Sequence, residues 1–292
     1  SKAPDGAFSM AMVAGETSGD LLAGLMMQGI RAQWPDANLY GIGGPRMQSH
    51  GFNALWPSDK LAVRGYVEVL RHYREIVGIR NQLKTHLLAK PPHVFVGVDA
   101  PDFNLDLERD LKNAGIPTVH FVCPSIWAWR ADRIEKIKQS VDHVLCIFPF
   151  EVDLLHAHGI DATYVGHPLA QVIPMHPDTL KARRDLKLDP DRPVVALLPG
   201  SRESEITYLA ERFFQTANLL IQQQPNLQFV LPAMPAMKGR IENIRDQVGA
   251  SHVQILSGQS HAALAACDVT LIASGTATLE AALFKKPMVI AY

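Results

Sequence analysis

Short apolar runs rich in β-branched residues recur along this chain, each followed by a helical pattern, and no other feature restricts the fold as much. The first group is FSMAMVA (8–14), NLYGIG (38–43), VFVGVD (94–99), TVHFV (118–122), HVLCIF (143–148) and ATYVG (162–166), with helical stretches such as 20–34 and 102–114 between them. Alternation of this kind predicts a doubly wound parallel sheet with helices on both faces. Segment 168–193 breaks the rhythm, with prolines at 168, 174, 177, 190 and 193 around the charged helix KARRDLKL. The pattern then restarts with VVALLPG (194–200), LQFVLPA (227–233), VQILSG (253–258), VTLIAS (269–274) and PMVIAY (287–292). The expectation is α/β throughout, with two Rossmann-like domains at 1–168 and 169–292. A length of 292 residues suits two such domains.

Composition narrows the function classes. A chain 47% apolar and 20% charged can build real cores, and a net charge of −1 gives no general attraction for nucleic acid. The three cysteines, Cys123, Cys146 and Cys267, are far apart and never form a C-x-x-C pair, so buried reduced thiols are expected. Twelve histidines show no H-E-x-x-H spacing, and HAH at 156–158 is a weak signal, so no metal is expected. No basic stretch with an apolar core opens the chain, and no apolar run approaches a membrane span. PMVIAY reads as an interrupted strand, so the second domain is expected to be truncated.

In open α/β sheets ligands lie at the carboxyl ends of the strands, so chemistry is sought where each apolar run meets its loop. VVALLPGSRESEI ends a buried strand at Pro199-Gly200, with Ser201 and Arg202 where a helix begins. Free backbone N–H groups and a fixed guanidinium suit a phosphate or pyrophosphate there. The competing reading is a capping turn, with Ser201 as N-cap and Arg202 solvated. In SGTATLEAALFKKP (274–287) small residues, including Ser274, Gly275 and Thr276, allow close approach to the backbone. A carboxylate a turn and a half into the helix, Glu280, can accept both hydroxyls of a ribose. Alone, Glu280 is a solvated helix residue; paired with the first loop it favours a nucleotide diphosphate.

VFVGVDAPDFN places Asp99 at a strand end backed by apolar sheet, a setting that can raise a carboxylate's pKa and make it a general base. Asp102, after Pro101, reads as the cap of the next helix. In CPSIWAWR, Trp127 and Trp129 with Arg130 can stack on a sugar or line a lipid-facing rim, or pack in the core. VAGETSGD (13–20) has the glycine turn of a phosphate loop, but Glu16 and Asp20 would repel a phosphate. Glu16 and Ser18 suit sugar hydroxyls instead, while Asp20 caps or braces the helix start. Over 61–80, Tyr66, Val69, Leu70, Tyr73, Ile76 and Val77 fall on one helical face, with Arg64, Glu68, Arg71 and Glu75 opposite. Such a helix packs on the core or lies in a membrane interface.

Taken in order, VAGETSGD, GGPRM (43–47), FVGVDAPDFN, PSIWAWR, LLPGSR and SGTATLE resemble the lipid-A-disaccharide synthase family over almost the whole chain. VAGETSGD, DAPDFN and PSxWAWR are specific to it; LLPGSR and SGTATLE are shared more widely. The resemblance implies a GT-B glycosyltransferase, with two Rossmann-like domains facing a cleft. It also implies inverting, metal-independent transfer without a cofactor, in which UDP-2,3-diacylglucosamine and 2,3-diacylglucosamine 1-phosphate give a β-1,6 disaccharide and UDP. The expected setting is cytoplasmic, peripheral on the inner face of a Gram-negative inner membrane, and a homo-oligomer is compatible with it. Asp99 is then the base. Gly200, Ser201, Arg202, Ser274, Gly275, Thr276 and Glu280 serve the UDP-sugar, and Glu16, Ser18, Trp127 and Trp129 serve the acceptor sugar. The face from Tyr66 to Val77 meets the membrane. The alternatives are another UDP-sugar enzyme of this architecture, such as a UDP-N-acetylglucosamine 2-epimerase or the peptidoglycan glucosaminyltransferase, or a non-catalytic lipid- or nucleotide-binding fragment.

Overall fold

Strand β1 (Ser9–Ala14) is buried from Met10 to Ala14, and a strand apolar on both sides requires helices above and below it. The computed structural model describes residues 6–15, 17–61, 66–124, 131–168, 170, 173–200, 202–273, 281–282 and 284–291, with backbone alone at 17, 66–71 and 131. The chain divides into two compact units, Ser1–Pro168 and Leu169–Tyr292.

In the first unit β1 is joined by β2 (Asn38–Gly43), β3 (Asn53–Pro57), β4 (Val94–Val98), β5 (Thr118–Phe121), β6 (His143–Cys146) and β7 (Ala162–Tyr164). The sheet order is β3-β2-β1-β4-β5-β6-β7 and every pair is parallel. Its helices are α1 (Thr17–Gln33), α2 (Pro45–Gln48), α3 (Tyr66–Ala89), α4 (Pro101–Asn113), α5 (Ala131–Ser140) and α6 (Pro149–Ala157). The period-2 alternation of β1 sorts its side chains between two cores. Met10, Met12 and Ala14 pack with Leu22, Ala23 and Met27 of α1. Ala11 and Val13 pack with Ile79, Leu83 and Leu87 of α3 and with Phe103, Leu107 and Leu111 of α4.

The second unit repeats the plan. Strands β8 (Val194–Leu198), β9 (Gln228–Ala233), β10 (Val253–Ser257), β11 (Val269–Ala273) and β12 (Met288–Ala291) are ordered β10-β9-β8-β11-β12, all parallel. Helices α7 (Thr179–Asp185), α8 (Glu203–Gln223), α9 (Lys238–Val248) and α10 (Ser260–Ala266) accompany them. Val195, Leu197 and Phe229 of the sheet enclose a core with Phe213, Phe214 and Ala217 of α8. The expected fold class, two doubly wound Rossmann-like parallel sheets, is the one observed.

Three expectations need correction. The helix read over 61–80 begins at Tyr66 and continues to Ala89, because Leu83 and Leu87 extend the apolar stripe one turn apart until Pro91 and Pro92. Leu61 belongs instead to a preceding 3-10 turn, Ser58–Leu61. The edge strand β3 was not expected; its NALWP alternates between exposed and half-buried positions and never becomes apolar enough to stand out. Asp102 does not cap α4: Ala100 occupies the N-cap and Pro101 the first helical position. Proline suits that first position because its missing N–H would go unpaired there anyway, so the cap falls one residue before it. Asp102 lies exposed in the first turn, where its charge favours the positive end of the helix.

Candidate functional site

Each sheet has one point at which strand order reverses. In the first unit β1 and β4 are neighbours there, and in the second β8 and β11. Helices leave such a pair of strands toward opposite faces, so the loops at their carboxyl ends part and open a crevice. The VAGETSGD loop follows β1 and Asp99 follows β4. LLPGSR follows β8, and the SGTATLE residues come directly after β11. Asp99 and Gly200 therefore stand at the two places where this topology can create a binding site.

Asp99 continues the ladder one step beyond β4, its N–H donating to the Phe121 carbonyl at 2.9 Å. The chain then turns through two left-handed residues, Asp99 at φ 51° and Ala100 at φ 43°. Aspartate tolerates that region and alanine does not, so the turn stores about 1–3 kcal/mol of strain. The Asn104 side chain steadies it, donating from Nδ2 to the Asp99 carbonyl at 2.9 Å. The Asp99 residue is half-buried. The loop after β1 lies alongside: a Cβ built on Gly15 would be 3.5 Å from that of Ala100. Ser18, half-buried in the first turn of α1, is thereby brought to the same crevice as Asp99.

Asp20 has a different task from the one expected. It is buried, with its Oδ1 accepting from the N–H groups of Gly44 and Met47 at 2.9 and 3.1 Å and its Oδ2 from that of Arg46 at 2.9 Å. It braces the start of α2, not of its own helix, and so fastens the GGPRM turn to the loop after β1. Its charge is matched to the unpaired donors of a helix N-terminus.

In the second unit Gly200 adopts φ 119°, and any side chain there would run into Glu205. Arg202, and not Ser201, is the N-cap residue of α8, in extended conformation at φ −89°, ψ 148°. Its N–H donates to Glu205 Oε2 at 3.0 Å. Glu203 in the same turn is paired with the Arg240 guanidinium of α9, which also donates to Thr207 Oγ1 at 2.7 Å. The first turn of α8 thus carries its own acids, and the Arg202 side chain beside them is exposed.

Of the remaining candidates, Tyr73 is 59% exposed on α3, whereas Ile76 and Val77 are half-buried and Ile76 packs on the core. Glu16, Trp127, Trp129, Ser201, Ser274, Gly275, Thr276 and Glu280 lie outside the described residues, as do the side chains of Tyr66, Val69 and Leu70. Cys123, Cys146 and Cys267 are buried. Among the described residues no His, Cys, Asp and Glu cluster has the form of a metal site, and no helix is long and apolar enough to cross a membrane.

Sequence reasoning missed one group beside Asp99. His120 of β5 and Glu108 of α4 are fully buried, with His120 Nδ1 and Glu108 Oε1 2.7 Å apart. A histidine inside the apolar run TVHFV was the legible sign. An asparagine and a glutamate four residues apart among Phe103, Leu107 and Leu111 were the other.

Comparison with known proteins identifies the family. The family model described as lipid-A-disaccharide synthetase matches residues 10–292. The lipid-A-disaccharide synthase of Albidiferax ferrireducens is 65% identical over 285 residues, covering 97% of this chain and 73% of that protein. That of Verminephrobacter eiseniae is 60% identical with the same coverage. Among solved structures, the UDP-GlcNAc 2-epimerase of Neisseria meningitidis bound to UDP-GlcNAc superposes with a TM-score of 0.69 at 10% identity, covering 97% of this chain and 82% of that one. At that identity the likeness concerns the fold, and the sequence relatives decide the family. The chain belongs to the lipid-A-disaccharide synthase family and is a glycosyltransferase of lipid A biosynthesis.

Proposed function

We propose that this chain carries the reaction that joins UDP-2,3-diacylglucosamine to 2,3-diacylglucosamine 1-phosphate, forming a β-1,6 disaccharide and UDP. The observation that carries the reading is Asp99, a half-buried carboxylate on a strained left-handed turn at the β1/β4 crevice. The 6-hydroxyl oxygen of the acceptor attacks the anomeric carbon of the donor, and the bond from that carbon to the UDP oxygen breaks. Asp99 takes the hydroxyl proton as the new bond forms, and the electron pair leaves with UDP. General-base assistance of this kind contributes about 10²–10⁴-fold.

In this reading the first unit holds the acceptor sugar, with Glu16 and Ser18 on its hydroxyls and Trp127 and Trp129 against its ring. The second unit holds the UDP-sugar. Gly200, Ser201 and Arg202 receive the diphosphate, whose growing charge the guanidinium stabilises without a metal. Ser274, Gly275 and Thr276 approach it from the loop after β11, and Glu280 accepts from the ribose hydroxyls. The exposure of Tyr73 supports a peripheral seat for α3 at the inner face of the inner membrane, where both lipid substrates reside.

The test is UDP release and mass spectrometry of the lipid product when both substrates are supplied together. A disaccharide whose mass is the sum of the two diacylglucosamine units plus one phosphate is expected. Turnover of the UDP-sugar without acceptor would point to the epimerase type. UDP binding with no product would leave a binding protein.

A further inference from the structure

A fully buried carboxylate and a fully buried imidazole lie one step from Asp99, and the packing has been cut to admit them. Gly97 of β4 pairs in register with His120 of β5. A Cβ at Gly97 would occupy the place of Glu108 Oε1, so the strand is glycine where the carboxylate of α4 presses on it. Asn104 lies one turn before Glu108 on the same face of α4 and holds the Asp99 carbonyl. Asp99 itself follows Gly97 by two residues, just beyond the end of β4, and its charge reaches the His120 imidazole. The order Glu108, His120, Asp99 therefore runs from the interior of the first unit to the crevice.

The group is not a closed structural knot. Asn104 Oδ1 and Glu108 Oε2 are buried without a hydrogen-bond partner among the described residues. A packed core that needed only shape at this place would hold apolar side chains at less cost. Retaining an acid and a base here puts an ionisable pair in the interior. Burial by itself would strip the proton from His120. The charge and hydrogen bond of Glu108, the charge of Asp99 beyond and a hydrogen bond to the Val122 backbone outweigh burial and raise its pKa above the ordinary histidine value. Burial raises the Glu108 pKa, and His120 opposes that shift. From β6 the residue in register with the imidazole is Val144, and Cys146 follows on the same face of that strand.

We propose that His120, held by Glu108, is a positioning residue for Asp99: it lays an imidazolium charge behind the carboxylate and keeps it ionised and ready to take a proton. The inference rests on Asp99 being the base of the proposed reaction. Its effect has a definite sign. A positive charge behind a carboxylate favours the ionised form, so losing it moves the protonation of Asp99 to higher pH. Two opposite charges about 10 Å apart at an effective dielectric constant of about 20 couple by about one pH unit.

Two measurements test it. In the first, ¹⁵N-histidine spectra of the wild-type chain and of Asp99→Asn are followed from pH 5 to 9, with His120 assigned through His120→Gln. The doubly protonated imidazole is expected near neutral pH, losing its proton about one unit lower in Asp99→Asn. A neutral His120 throughout, or the same titration in both proteins, overturns the inference. This arm changes only a half-buried turn residue and needs no turnover.

In the second, pH profiles of kcat/KM are compared for wild type, Glu108→Gln, His120→Gln and the double variant. The acid limb is expected to move up by about one unit in each single variant and no further in the double. Loss of rate with the limb unmoved would mean that the pair only supports the fold, and would overturn the inference. A wild-type chain that shows the coupling but makes no disaccharide counts against the proposed reaction and not against the pair.

Discussion

At the scale of the residue, Asp20 is an instructive carboxylate. VAGETSGD shows an acid in the first turn of a helix, which reads as a local cap or brace. The structure spends all three of its hydrogen bonds on backbone N–H groups 24 to 27 residues away, at the start of α2. Nothing in local spacing could announce that partner, because the contact is made by the parallel pairing of β1 with β2. Asp20→Ala leaves the buried Gly44 and Met47 donors without a partner and should destabilise the first unit by about 2–4 kcal/mol, read as a lower urea midpoint. A loss below about 0.5 kcal/mol would show that the α2 start needs no brace. Asp99 was legible for the opposite reason. It sits in the sequence where a buried strand stops, and a strand's end is a local property. Its buried supports were not legible, since Glu108 and His120 meet only once helix and sheet are packed.

At the scale of the element, α3 and α8 divide what a pattern can and cannot say. The wheel over 61–80 gathers Tyr73, Ile76 and Val77 on one face, yet Tyr73 is exposed while Ile76 joins the core with Ile79, Leu83 and Leu87. The stripe that packs drifts around the helix, and a short window cannot show which edge the sheet will cover. Tyr73→Glu should therefore change stability by no more than about 0.5 kcal/mol. It should lower co-sedimentation with anionic liposomes if α3 meets the membrane; undiminished binding would remove this edge from the membrane reading. In α8 the strand–turn–helix pattern was plain in LLPGSRESEI, but the role of Ser201 as cap was not realised. Glu205 reaches back to the Arg202 N–H and makes Arg202 the boundary residue. With two acids in that first turn, the proposed diphosphate site depends chiefly on the guanidinium. Arg202→Ala should weaken UDP binding by about tenfold or more, measured by calorimetry. Equal affinity would place the diphosphate elsewhere.

At the scale of the whole molecule, two parallel sheets and their place in the chain could be read from alternating apolar runs, but strand order could not. Runs look alike whether a strand is added to one edge or the other, and the reversal that opens a crevice is decided by right-handed crossovers in three dimensions. Order decides which strand ends lie together. β1 and β4 flank one reversal and β8 and β11 the other, so the molecule has one crevice in each unit. If the acceptor sugar uses the first and the nucleotide the second, the two ligands should leave separate footprints in amide hydrogen exchange. UDP should slow exchange in peptides covering 198–204 and 273–282, at the ends of β8 and β11. It should leave 13–20 and 97–104 at their ligand-free rates. The acceptor lipid should do the reverse. A buried strand is protected with or without ligand, so the change is expected at loops and first helical turns, where opening costs little. UDP protection centred on the loop after β1 would reverse the assignment. VAGETSGD would then hold the nucleotide in spite of its acids, and the base would have to be sought at the carboxyl ends of β8 and β11.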